Sequence, residues 1–299
     1  MGILSGFGMA SDTLVGPLES RFSAMADAGF TQVMLSAADV ASHPGGASAV
    51  ARMLQSSGLQ ALGYQTLHAF EGLAGSLHDY KVAIAKSMLE TCQALGSPLL
   101  LASSSTYPHA SSDPDVIAKD LRKLAMLALP LGIQVAYSAV AEGRSINAHA
   151  SAYDAVCQAD CPNLGLALAA FPMHAAETST DAMDAIDTVE DLDPSRIYLV
   201  QLSDRIWSDA ENAPQQQHGI ASSPSVFPGE GVHTDYLADL VLRLDAMGYQ
   251  GNYTFAVHNA DYLQLPAPFV AQRARRSGLW LREDVLRRSA PLPLTCRFK

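Results

Sequence analysis

Charge is scarce in this sequence, and positive charge scarcer still. Only 16% of the 299 residues are charged, and 30 acidic residues against 19 basic ones give a formal net charge of −11. A chain so balanced repels nucleic-acid phosphates and anionic membrane surfaces, so neither is expected as a partner. No stretch approaches 18 consecutive apolar residues, the minimum for a membrane-spanning helix. The four cysteines, Cys92, Cys157, Cys161 and Cys296, include no CxxC and no paired metal-binding spacing. Burial as small apolar side chains is their expected role. The opening segment MGILSGFGMASDTL lacks a basic stretch ahead of an apolar run, and Gly6 stands where a myristoylation signal needs Ser or Thr. A reducing, cytoplasmic setting is the expectation.

The abundant features are short apolar runs in regular alternation with amphipathic stretches. Candidate strands lie at 3–9, 31–36, 60–66, 97–103, 133–139, 164–169, 197–202 and 252–257. Between them, patterns such as Leu18, Phe22, Met25 and Ala26 repeat at helical spacing. Gly29, Gly58, Gly96, Gly132 and Gly248 stand at helix-to-strand junctions, where a helix commonly ends in a left-handed residue. Eight strand–helix repeats predict an α/β fold, a single (β/α)8 TIM barrel over residues 1–299. A doubly wound sheet is the alternative, but no GxGxxG follows the first strand. Residues 203–233 form a long connection after strand seven, read as a lid or a disordered insertion. The segment 266–299 is read as a basic helix and tail. From Arg273 to Lys299 there are eight basic and two acidic residues, leaving 11 basic against 28 acidic in the remainder.

In such a barrel, chemistry is expected at the C-terminal ends of the strands. Those ends carry Gln65 to His68, Ser103 to His109, Ser138 to Arg144, Ala169 to His174, Gln201 to Asp204 and Ala256 to Asp261. Histidines recur there and convergent carboxylates do not. A lone histidine is more often a satisfied structural side chain than a ligand, so the signal is their shared placement at strand ends.

Several segments carry a resemblance. They are LGIQVAYSAVAEGRSIN (131–147), CPNLGLALAAF (161–171), IYLVQLSD (197–204), FPGEG (227–231) and GYQGNYTFAVHNADY (248–262), with GYQTLHAFEG (63–72) and QALGSPLLLAS (93–103) before them. Taken in order, they resemble the xylose-isomerase-like barrels, a superfamily of sugar-phosphate isomerases and epimerases, and most of all the 3-dehydroshikimate dehydratases. The resemblance implies a divalent metal held by Glu, Asp, Gln or His, and Glu from strands five to eight. Such an ion polarises a carbonyl and stabilises an enolate. Carried across position by position, the first ligand is Ser138, the second Ala169 and the fourth Ala256. Only Gln201 keeps a family ligand. The family arginine after strand three is His68, and its cationic segment before PGEG reads Ala221-Ser222-Ser223-Pro224-Ser225. Arg144, Asn147 and Asp204 are kept.

A single amide cannot hold a hard dication against bulk water, so no metal and no other cofactor is expected. The reading that follows is a divergent lyase or isomerase acting without the family metal on a small polar carbonyl or polyhydroxy substrate. His174 and His68 supply acid–base catalysis with Glu142 as partner. Gln201, Arg144, Asp204, His258, Tyr137 and Gln65 bind substrate. Three alternatives stand beside it. One is a catalytically inactive pseudoenzyme that binds a small ligand or a partner protein. Another is a rebuilt imidazole site in which His68, His174 and His258 hold Zn²⁺. The last is an ordinary metal-dependent dehydratase with shifted ligands, which would carry stoichiometric metal. Barrels of this superfamily pair or form tetramers, so a homo-oligomer is also among the expected partners.

Overall fold

The computed structural model describes residues 4–170, 189–206 and 224–287. In chain order its elements are β1 (Phe7–Ala10), α1 (Leu18–Asp27), β2 (Gln32–Ser36), α2 (Ala37–Ser42), α3 (Gly46–Ser57), β3 (Gln60–His68), α4 (Gly75–Leu95), β4 (Leu99–Ser103), α5 (Pro114–Ala128) and β5 (Gln134–Ser138). There follow α6 (His149–Ala159), β6 (Leu164–Ala169), β7 (Ile197–Leu202), β8 (Asp204–Arg205), β9 (Ser225–Val226), α7 (Thr234–Ala246), β10 (Asn252–Phe255) and α8 (Ala267–Leu279). The expected eight-stranded barrel is present: β1-β10-β7-β6-β5-β4-β3-β2 closes on itself, and every neighbouring pair is parallel.

Local chemistry explains where the elements begin and end. In α5, Asp113 caps the helix by accepting from the Asp115 amide at 3.0 Å, and Pro114 occupies the first turn, where its missing N–H costs nothing. The five junction glycines all have positive φ, as expected. Along α4, the buried face Ala85, Leu89 and Cys92 repeats at three- and four-residue steps and packs on the barrel. Burial pushes the Cys92 thiol up to about 12, so it behaves as an apolar core atom and not a nucleophile.

Alternation along each strand divides the core in two. Ala10, Met34, Leu62, Leu99, Leu101, Ala136, Ala167 and Leu199 form a separate cluster contributed by seven barrel strands, which is the plug of the lumen. The other faces feed a larger cluster shared with the helices. The plug crowds Gly63, where an added side chain would push Met34 and Leu99 aside. A Cβ at Gly63 would lie 2.7 Å from Met34 Sδ and 2.9 Å from Leu99 Cδ2.

The long connection after β7 is described at its two ends only. There β8 and β9 pair antiparallel, Asp204 opposite Val226 and Arg205 opposite Ser225. Residues 207–223 lie outside the described residues, as do 288–299 of the basic tail. Among the described residues, no helix is long and apolar enough to cross a membrane.

Candidate active site at the strand ends

One step beyond the plug, the inward positions of the strands form a layer at the C-terminal mouth. They are Ser36, Ser103, Ser138, Ala169, Gln201 and Ala256. Register aligns them: Ser103 pairs with Ser138, Ala169 with Gln201, and Thr254 with Gln201. The Ser138 hydroxyl donates to the Ala139 carbonyl at 3.2 Å. Gln201 makes no side-chain hydrogen bond among the described residues, which leaves its amide available to a ligand. Gln65, on β3 beside Ser36, is buried in the same rim.

His68 belongs to this layer. Its Nδ1 lies 3.0 Å from Ser103 Oγ, which fixes the ring against β4. Its carbonyl accepts from Lys81 Nζ at 2.7 Å. Lys81 reaches over from α4 with its ammonium 5.4 Å from the centre of the Tyr107 ring. Burial lowers the Lys81 pKa, and the nearby Glu71 carboxylate pulls it back up.

Across β1 and β10 lies a second polar group. His258 Nε2 stands 3.7 Å from Asp12 Oδ2. Glu142 and Arg144 lie on the rim loop between β5 and α6. That loop is fastened where the Arg144 amide donates to the Ser105 carbonyl at 2.7 Å and the Val140 amide donates to Ser104 Oγ at 2.9 Å. The structure therefore brings His68, Gln201, Gln65, His258 and the Arg144–Glu142 loop to one end of the barrel. His174 lies outside the described residues.

Two expected substrate contacts face elsewhere. Tyr137 neighbours the inward Ser138, so alternation turns it outward. It is fully buried, and its hydroxyl donates to Glu71 Oε1 at 2.9 Å. Burial drives the Tyr137 pKa well above the usual phenol value, and the Glu71 carboxylate pushes the same way. Asp204 is equally inaccessible. Its carboxylate accepts from the amides of Arg205 (2.7 Å), Gly231 (3.1 Å) and His233 (3.0 Å) and from Thr234 Oγ1 (3.3 Å). It clamps the FPGEG segment so closely that a Cβ at Gly231 would collide with Asp204 Oδ1. Glu230 of the same segment accepts from Tyr262 Oη at 2.7 Å and pairs with Arg273 at 3.0 Å, so the motif is an anchor for α8.

Two carboxylates escaped the sequence reading. Glu71 is 2% exposed; its Oε1 also accepts from the Ser105 amide at 2.5 Å, and its Oε2 has no hydrogen-bond partner among the described residues. Burial raises its pKa, and its hydrogen bonds from Ser105 and Tyr137 oppose the rise. An acid enclosed by Phe70 and Gly72 is the one signal in the sequence. Asp12 follows β1 directly, and the polar run Ser11-Asp12-Thr13 after an apolar strand is its only mark there.

The donor set bears directly on a metal. The strand-end positions Ser138, Gln201, Ala169 and Ala256 present one hydroxyl, one amide and two methyl groups, which do not fit a hard dication that takes six or more oxygens. Among the described residues, no three His, Cys, Asp or Glu side chains converge.

Residues 22–283 match the family described as xylose isomerase-like TIM barrel. A 3-dehydroshikimate dehydratase of Pseudomonas aeruginosa is 30% identical over 286 residues, which is 95% of this chain and 43% of that protein. An inosose isomerase of Halalkalibacterium halodurans is 25% identical over 64% of each chain. Among solved structures, a xylose isomerase-like TIM barrel/4-hydroxyphenylpyruvate dioxygenase fusion protein superposes with a TM-score of 0.82 at 26% identity, covering 94% of this chain and 43% of that one. The chain thus spans less than half the length of the dehydratase it matches. A closed parallel barrel with its polar layer at the strand ends, matched over residues 22–283, places this chain in the xylose isomerase-like TIM-barrel family.

Proposed function

We propose that the chain is a lyase or isomerase that acts without a metal on a small polar carbonyl or polyhydroxy substrate held in the barrel mouth. The observation that carries this reading is the lining itself: Ser103, Ser138, Gln201 and His68 all offer hydrogen-bonding groups, and none bears a fixed charge. The relatives' names, a dehydratase and an isomerase, are consistent with proton removal next to a carbonyl. In this reading His68, fixed by Ser103, takes the proton from the carbon beside the carbonyl. Gln201 holds a substrate oxygen, and Arg144 at the rim steers an acidic group. Glu142 sits beside Arg144 on the rim loop as a second proton carrier.

One feature favours the alternative of a ligand-binding protein without turnover. Ala169 and Ala256 offer only methyl groups, and the Ser138 hydroxyl is already engaged with Ala139.

The test is to follow 3-dehydroshikimate and, separately, an inosose by proton NMR in D₂O, with and without EDTA, alongside elemental analysis of the purified protein. The expected result is loss or exchange of the proton next to the carbonyl at a rate EDTA does not change, and no stoichiometric metal. Activity abolished by EDTA and restored by Mg²⁺ or Mn²⁺ refutes the metal-free reading. Binding with no turnover of either compound supports the second. A ligand at 100 times its Kd then stabilises the fold by about 2.7 kcal/mol.

A further inference from the structure

We infer that Asp12 and His258 form a proton-relay pair at the barrel mouth, His258 exchanging a proton with a substrate oxygen and Asp12 holding the imidazole in place for it. The inference rests on the proposed function, in that both need a substrate bound at the strand ends.

His258 lies two residues beyond Ala256, a position that offers no polar side-chain atom, and just past the end of β10. Its Nε2 faces Asp12 Oδ2 at 3.7 Å. Both partners sit on fastened backbone. The His258 amide donates to Ser225 Oγ at 2.7 Å, and its carbonyl accepts from the Ser225 amide at 3.2 Å. On the other side, Thr13 Oγ1 donates to the Val257 carbonyl at 3.1 Å, tying the turn Ser11–Thr13 to the end of β10. The neighbouring Ser11 hydroxyl donates to Asp39 at 2.6 Å, and Asp39 pairs with Arg21 at 2.8 Å, so that turn is held from both flanks. Held main chains with partly exposed side chains, 42% for His258 and 32% for Asp12, are what a relay to a bound molecule needs.

Asp12 Oδ1 supplies an independent mark. It is shielded from solvent and has no hydrogen-bond partner among the described residues. Leaving a buried acceptor unmatched is unfavourable, and such groups in a folded protein call for a functional account. Catalytic hydrogen bonds are often long before substrate binds, so a carboxylate 3.7 Å from the ring is placed to orient it as a ligand tightens the site.

The chemistry closes without an outside reagent. As a base removes the proton from the carbon beside the carbonyl, the C–H pair becomes the new C=C bond. The carbonyl π pair moves to oxygen, which takes a proton from His258. Loss of the proton of the adjacent hydroxyl to His258, with the base returning its proton to the former carbonyl carbon, moves the carbonyl by one carbon and completes an isomerisation. In a dehydration the enol proton returns to His258 as the carbonyl re-forms, the C=C pair moves to the next carbon–carbon bond as the bond to the β-hydroxyl breaks, and that hydroxyl takes the proton held by the base and leaves as water. Asp12 is a positioning residue throughout, offsetting the ring's charge while the ring carries both protons.

The test has two arms. With whichever of 3-dehydroshikimate or an inosose is turned over, His258→Asn is expected to lower kcat by about 10²-fold or more while KM stays within a few fold. Asp12→Asn is expected to lower kcat by a smaller factor, and Asp12→Glu to recover part of it. A His258→Asn enzyme with kcat close to the parent's overturns the inference while leaving the proposed function standing. If neither ketone reacts, the substrate assignment fails and the second arm decides the pair. Long-range ¹⁵N–¹H spectra of histidine-labelled protein, with His258 assigned from the signal missing in His258→Asn, are expected to show its proton on Nε2 and a changed tautomer balance in Asp12→Asn. A His258 signal unmoved by Asp12→Asn overturns the pairing.

Discussion

Tyr137→Phe separates a structural tyrosine from a substrate-binding one. The phenylalanine ring fills the same fully buried space, so no cavity opens and the change reduces to one hydroxyl. That hydroxyl donates at 2.9 Å to Glu71 Oε1, which also accepts from the Ser105 amide. Removing one donor from an enclosed carboxyl group costs about 1–3 kcal/mol, the upper part of the range applying when the group is ionised. In a chain of this length about 2 kcal/mol lowers the melting temperature by roughly 4 °C. The cost depends on pH with a definite sign. Burial raises the Glu71 pKa, so its contribution to stability is fully present below the ordinary carboxylate value and is lost as pH rises through the raised one. Tyr137 opposes that rise by bonding the charged form, so its loss weighs more at about pH 8 than at about pH 5. Urea denaturation of Tyr137→Phe at the two pH values, repeated in a Glu71→Gln background, measures the effect. The penalty is expected to grow with pH in the parent and to lose that growth in the Glu71→Gln background, where the side chain is a neutral amide at both pH values. Turnover of the parent's substrate is expected to survive. A variant with unchanged stability at both pH values and lost turnover would place Tyr137 in the mouth and refute the assignment.

Two further outcomes follow from buried groups. Asp204→Ala leaves the amides of Arg205, Gly231 and His233 without their acceptor, so a loss of about 3 kcal/mol or more is expected by chemical denaturation. An unchanged denaturation midpoint would refute the clamp. His149 lies buried with Nε2 at 2.8 Å from the Ala169 carbonyl, and burial lowers its pKa. Its contribution is present above about pH 6.5 and is lost as pH falls through the lowered value, at up to about 1.4 kcal/mol per pH unit. His149→Gln is expected to remove that part of the stability–pH slope, and a slope unchanged by the substitution would contradict it.

The fold was legible because its signals are local and repeated. Each of the eight strand segments reads as a short apolar run, and each junction glycine, Gly58 and Gly96 among them, marks the end of a helix by a backbone conformation other residues rarely adopt. The site was legible only where a single strand determines direction. The family resemblance picks out Ser138, Ala169 and Gln201, which strand alternation sets on one face, and the same alternation, applied one residue earlier, turns Tyr137 away. Asp204 sits at a strand end like a ligand contact, but its use is decided by amides 27 and 29 residues further along, a partnership with no sequence spacing to announce it. Glu71 was hidden for a similar reason: its partners Ser105 and Tyr137 come from two other repeats.

The lumen plug has a consequence for how this barrel can change. Eight apolar side chains from seven strands close the lumen beneath the mouth, and they touch one another without help from the polar layer above. The mouth is therefore mechanically a lid seat on a sealed vessel. Side chains at Ser138, Ala169 and Ala256 can be exchanged for others with little call on the packing that keeps the vessel closed. Chemistry at the rim and integrity of the wall are separable in this molecule, and the first can be rewritten while the second stays as it is.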